Sequence, residues 1–216
     1  MASAGIGLSR EDILSKMKLA DGGNVTKCLA DLESSGFIRK YTSLGKKKKD
    51  SIYQLIDNFS LFHLKFLAKN PNSDENFWSN AIGSAQQSAW SGIAFERVCL
   101  HHIRQIKNAL QIGGVMTNVY SWRHTANETY PTGTQIDLLI DRADGVINIC
   151  EIKYTKDYYT ATDKSDADMR RRISVFSEIS QTRKSIHIVL ITPYGLTKNK
   201  YSGRFSNVIT FDDLFE

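Results

Sequence analysis

The stretch Gln135–Tyr154, QIDLLIDRADGVINICEIKY, holds two apolar runs joined by a short polar turn. Ile136, Leu138, Leu139 and Ile140 make up the first run, and Val146, Ile147, Ile149 and Cys150 the second. Two such runs around Asp144-Gly145 read as an antiparallel hairpin. Asp137 interrupts the first strand, while Glu151 and Lys153 close the second. Side chains alternate along a strand, so Glu151 and Lys153 point to one face. If Asp141 lies opposite Ile147, then Asp137 lies opposite Glu151 and all three polar groups share that face. A slip of one residue would send Asp137 to the other side. The first register is expected, because a lone buried carboxylate has nothing to compensate it.

Two carboxylates side by side at the end of a buried sheet repel each other and need a cation to stay ionised. Lys153 is one such cation. A hard divalent ion is another: Mg²⁺ (or Mn²⁺) takes one or two protein carboxylates plus water and substrate phosphate. An ion held there polarises a phosphodiester and acidifies a bound water, and an amine beside that water can orient it or take its proton. Asp137 and Glu151 are therefore the candidate metal ligands and Lys153 the candidate activator of water in a phosphodiester hydrolysis.

These residues resemble the active-site hairpin of the PD-(D/E)XK nuclease superfamily, whose pattern is an acid, a spacer and Asp/Glu-x-Lys. Asp137 matches the first acid, and Glu151 with Lys153 the second element. The family often adds a glutamate on the helix before the sheet, and Glu96 in GIAFERV resembles it. Ile136 stands where the nominal proline would be. A broader resemblance, from the N-terminal helices to the "EIK" strand, is to the C-terminal region of archaeal-type or AAA-like prokaryotic ATPases that carry a domain of unknown function 234. Such proteins commonly have a glutamate where Gln135 stands. No G-x-x-x-x-G-K-[ST] occurs in the chain, so the resemblance implies part of a larger ATPase-type protein, with no ATP hydrolysis of its own. It also implies DNA as substrate, an ATPase domain or partner ATPase as associate, and a restriction-endonuclease-like fold.

Outward from the hairpin, "VMTNVYSWRH" before it and "IHIVLIT" and "NVITF" after it complete a set of strands. A helix, "ADMRRRISVFSEISQTRKS", separates the hairpin from "IHIVLIT", which allows a parallel pairing there. Near-continuous apolar strands imply a sheet covered on both faces by helices. The expected class is α/β, a restriction-endonuclease-like mixed sheet flanked by helices. The helix between the strands has Ile173, Phe176 and Ile179 as its buried stripe, and Arg170, Arg171 and Arg172 near its start as candidate phosphate contacts. The polar stretch "KYTKDYYTATDKSDAD" just past Lys153 reads as a loop that either closes over substrate or moves freely. Trp122 and His124 end a strand and read at least as well as packing residues as they do as a groove lining. A long helical stretch runs from Trp78 to Ile112, with a break expected near Ser91-Gly92. His101 and His102 lie about 100° apart on it, which keeps them from sharing one metal.

The N-terminal part reads helix, turn, helix, hairpin. Ser9 with Asp12 three residues on starts the first helix, with Ile13, Leu14 and Met17 as its apolar face. Asn24 is the expected cap of the second, whose face is Val25, Leu29 and Leu32, with Gly36 as the C′ residue. "FIRKY" and "SIYQL" follow, joined by "TSLGKKKKD". This is the outline of a winged helix lacking its usual first helix. Lys46, Lys47, Lys48 and Lys49 at the wing tip are candidate nucleic-acid contacts, although lysines on a hairpin tip are also what a solvated turn looks like. Asp31 and Glu33 make the second helix a poor partner for phosphates, which favours docking of a protein. The expected division is a partial winged-helix module at 1–57, a bridging aromatic helix and linker at 58–77, and the nuclease-like domain at 78–216.

Composition agrees with these expectations. The chain has 216 residues and a formal net charge of +5, which suits a polyanionic partner. Cys28, Cys99 and Cys150 are odd in number and widely spaced, as reduced thiols are. No apolar run approaches the roughly 20 residues of a membrane span, and MASAGIGLSRED lacks the core of a signal peptide. A cytoplasmic protein away from membranes is expected.

Overall fold

In the computed structural model, which describes residues 7–46, 50–68 and 74–215, the chain divides into two units, residues 1–97 and 98–216. The wing lysines Lys47, Lys48 and Lys49 and residues 69–73 of the expected bridging helix and linker lie outside the described residues.

The first unit begins with β1 (Leu8–Ser9) and α1 (Arg10–Met17). Ser9 and Asp12 form a reciprocal capping box, each accepting the other's backbone N–H at 3.0 Å. Helix α2 (Gly23–Ser34) starts one residue before Asn24 and is capped at Gly22 without a side-chain bond. Arg10 holds this end instead, donating to Asp21 Oδ1, Gly22 O and Thr26 Oγ1. At the other end Gly36, at φ +75°, lets the chain leave the helix, with Phe37 N–H bonding Leu32 O at 3.0 Å. Strands β2 (Ile38–Tyr41) and β3 (Ile52–Leu55) form the expected hairpin, and β1 joins it in the order β1-β3-β2, all antiparallel. Ile13, Leu29, Ile38 and Tyr53 are its core. The bridging segment is α3 (Asn58–Phe62), capped by Asp57 and continuing as a π-turn over His63–Leu67. Phe62 and Phe66 pack with Trp78 and Trp90 at centroid distances of 4.8–5.6 Å, an aromatic cluster in which Phe66 is buried and the other three rings are half-buried.

Helix α4 (Ala85–His101) runs unbroken through Ser91-Gly92. One glycine costs a helix only about 1 kcal/mol, and the interruption comes instead at His102, before α5 (Ile103–Ala109).

The second unit is a five-stranded mixed sheet with helices. Its strands are β4 (Thr117–His124), β5 (Thr134–Arg142), β6 (Val146–Ile152), β7 (Ser185–Ile191) and β8 (Asn207–Ile209). The order is β4-β5-β6-β7-β8, antiparallel from β4 to β6 and parallel from β6 to β8. Leu138, Leu139 and Ile140 are consecutive and wholly buried, which requires both faces of the sheet to be covered. The crossover from β6 to β7 is α6 (Asp163–Ser180). It starts earlier than its apolar stripe suggests, because Thr162 caps it with Ser165 as reciprocal partner. Arg170, Arg171 and Arg172 therefore sit in mid-helix, and the last six residues of the stretch expected to be a loop, 163–168, are helical. Met169, Val175 and Phe176 are buried there, whereas Ile179 is 37% exposed. The structure is thus mixed α/β, with a three-stranded antiparallel sheet and a five-stranded mixed sheet. Among the described residues no helix is long and apolar enough to cross a membrane.

Candidate functional site

The hairpin sets the site. Gly145, at φ +84°, makes the turn that an L side chain would strain. Lys184 staples the turn end, donating to Asp141 Oδ1 and Arg142 O, each at 2.6 Å. Asp141 pairs with Ile147 and Leu138 with Cys150. The ladder ends at the pair Leu138 and Cys150; Asp137 and Glu151 are the next residue on each strand, and β5 bulges against β4 there, with Asp137 and Leu138 together opposite Ser121. Because β5 and β6 run antiparallel, the start of one and the end of the other meet at the same end of the sheet. In an open α/β sheet that is the end where ligands bind, outside the carboxyl ends of the parallel strands.

Glu151 is 6% exposed. Its Oε1 meets Lys153 Nζ at 2.9 Å and its Oε2 accepts from Arg172 Nη1. One buried carboxylate thus lies between two cations. Asp137, half-buried, accepts from Gln135 Nε2 on its own strand, two residues back and hence on the same face. Its backbone carbonyl accepts from Ser121 Oγ of β4 at 2.5 Å. Gln135 is a neutral partner of Asp137.

Arg172, a candidate phosphate contact, is the arginine of the three that reaches Glu151. Its neighbours differ in turn: Arg170 pairs with Asp166 at 2.9 Å and Arg171 donates to Thr134 Oγ1 at 2.9 Å. Helical phase carried the signal for Arg172. Met169, Arg172, Ile173 and Phe176 are spaced three and four apart and so share the stripe that faces the sheet. Glu96 belongs to the first unit, where it pairs with the buried Arg97. Lys46 lies exposed between β2 and β3. Trp122 is buried and meets Phe176 edge-on at 5.2 Å, a packing contact.

Asp137 and Glu151 are hard oxygen donors, the type a magnesium ion takes. Among the described residues no group of three or more His, Cys, Asp or Glu gathers to hold a metal, so an ion bound between these two carboxylates would keep several of its waters. Cys150 offers no competing nucleophile. It lies on the opposite face from Glu151, and burial pushes its thiol up to about 12.

Neither a known protein family nor a curated protein matches the chain. Among solved structures, a protein of unknown function, AF1548, is similar at 15% identity with a TM-score of 0.35. The likeness covers 54% of this chain and 64% of that one, less than two thirds of its length.

Proposed function

We propose that the second unit is a divalent-metal-dependent DNA phosphodiesterase of the PD-(D/E)XK, restriction-endonuclease-like type, working in the cytoplasm. The observation that supports this is the hairpin register: Asp141 opposite Ile147 and Leu138 opposite Cys150 leave Asp137 and Glu151 as the next residue on each strand, with Lys153 on Glu151. Asp137 and Glu151 are the residues that would hold Mg²⁺ or Mn²⁺. When bound, the ion would supply charge stabilisation at the phosphate and a more acidic water. Lys153 Nζ, a cation held on Glu151, would orient that water by donating to it. Arg172 balances the buried charge of Glu151 in the free protein and is placed to exchange that contact for a phosphate oxygen. Glu96 is proposed as a supporting acid by its resemblance alone. The first unit, with its strand, two helices and hairpin, is proposed as a winged helix. The exposed Asp31 and Glu33 on α2 favour docking on a protein such as an ATPase domain over reading DNA.

A second reading is favoured by one observation. Both oxygens of Glu151 already hold cations, as they would in a nuclease-like module kept only for interaction with an ATPase. One experiment separates the two. Purified protein is given plasmid and single-stranded DNA with Mg²⁺ or Mn²⁺, and metal uptake is followed by calorimetry. Metal-dependent cleavage that falls about 100-fold or more in Lys153→Ala supports the enzyme. Absence of both uptake and cleavage supports the module, and cleavage unchanged in Lys153→Ala would come from a contaminant and sink the enzyme.

A further inference from the structure

Two loops leave the sheet where β6 and β7 end, and they are laced to each other. Lys153 N–H bonds Ile191 O at 2.9 Å, Tyr159 N–H bonds Gly195 O at 2.8 Å, and Thr197 N–H bonds Tyr159 O at 2.9 Å. Side chains add Thr155 to Thr192 at 3.2 Å and Thr160 to Thr197 at 3.0 Å. Beneath them Tyr159 and Ala161 join Met169, Ile188, Leu190 and Phe205 in a buried cluster. This is a pinned shelf rather than a free flap.

On top of the shelf the tyrosines turn outward. Tyr154 is 42% exposed, Tyr158 60% and Tyr194 55%, while Tyr159 beside them is 9%. The ring of Tyr158 lies against Gly195, where an added Cβ would come within 3.3 Å of it and where φ is +105°. A side chain at position 195 would crowd that ring. Lys156 and Lys198, on the same two loops, are exposed, and Lys153 reaches from the first of them to Glu151. The opposing acid, Asp157, is engaged by Tyr158 N–H at 2.7 Å.

Exposed rings on a pinned backbone, with exposed lysines on the same loops, match the chemistry of unpaired bases: a π-face for each base and a cation for each phosphate. A duplex keeps its base faces stacked inside and offers them to no side chain. We propose that Tyr154, Tyr158 and Tyr194 form a stacking platform for single-stranded DNA, with Lys156 and Lys198 on its phosphates, leading the strand to Lys153. The proposal deepens the phosphodiesterase reading and rests on it for the identity of the strand.

The test uses the full chain in EDTA, so that binding is read without cleavage, with a fluorescein-labelled oligothymidylate and a labelled duplex of equal length. The single strand is expected to bind more tightly. Tyr158→Ala and Tyr194→Ala should each weaken it roughly 5- to 150-fold, the equivalent of about 1–3 kcal/mol per stacked base, and leave duplex binding unchanged. Tyr158→Phe, which keeps the ring, should bind as the parent does. If Tyr158→Ala melts lower than the parent, Tyr158→Leu takes its place, since it keeps bulk without a π-face. Equal binding by parent and ring-less variants, a preference for duplex, or no binding of the single strand overturns the platform. Tyrosine-dependent binding without any metal-dependent cleavage leaves the platform standing and removes the enzyme. Lys153-dependent cleavage with tyrosine-independent binding does the reverse.

Discussion

Glu151 shows why a carboxylate can sit 6% exposed at the end of an apolar strand. Its charge would be costly alone, and two cations from different elements offset it. Losing Lys153 still leaves Arg172 as partner, so Lys153→Ala should remain folded and report on chemistry. The neighbouring Cys150 points into the opposite layer, and its thiol, pushed up to about 12 by burial, stays protonated. Cys99 is also buried, whereas Cys28 is exposed on α2. A thiol-reactive chromophore at pH 8 should therefore modify Cys28 alone in the folded chain, with Cys99 and Cys150 reacting only in denaturant. Rapid reaction of Cys150 under native conditions would mean that the β6 face is open. The placement of Glu151 and Lys153 was legible because a period of two needs only the strand itself. Arg172 was legible only through the phase of a distant helix, and three consecutive arginines disguise the one that turns inward.

Helix α6 is the element that couples the sheet to the site. It carries Phe176 and Met169 into the core and Arg172 to Glu151. Thr162 starts it, accepting Ser165 N–H at 3.2 Å. Thr162→Ala should lower the stability of the chain by about 1 kcal/mol, seen as a lower denaturant midpoint, and Thr162→Ser should restore it. An unchanged midpoint in the alanine variant would mean that tertiary contacts alone hold that end. The true start was hidden because "TATDKSDAD" offers several residues able to cap, and its helical turns carry only Asp166 into the interior, paired with Arg170 and Arg204. The hairpin register, by contrast, followed from charge: with both faces buried, the apolar residues fit either alignment, and the pairing of Asp141 with Ile147 was chosen so that no carboxylate is left alone in the interior. The break at His102 had no local signal, since Gly92 was the more obvious interruption.

Across the whole molecule, carboxylates on both units are held below their ordinary range. Asp12 is lowered by the Ser9 hydroxyl, Asp21 by Arg10, Asp144 by Arg142 and Glu178 by Ser174 and then Tyr130. A lowered carboxylate binds fewer protons folded than unfolded, so its stabilisation is present above its unfolded pKa and is lost as pH falls through the folded one. Melting temperature should therefore be level near neutrality and decline below about pH 4. A melting temperature that rises on acidification would contradict these assignments. Division of the chain at Arg97 was not legible, because α4 carries its helical pattern straight through that point. The parallel pairing of β6 with β7 has one more consequence, for a chain emerging from the ribosome. Until residues 185–191 have been made, the strand that bears Glu151 has a bare, apolar margin. Ribosome-bound intermediates stalled within α6 should accordingly be the ones that recruit chaperones or cling to one another.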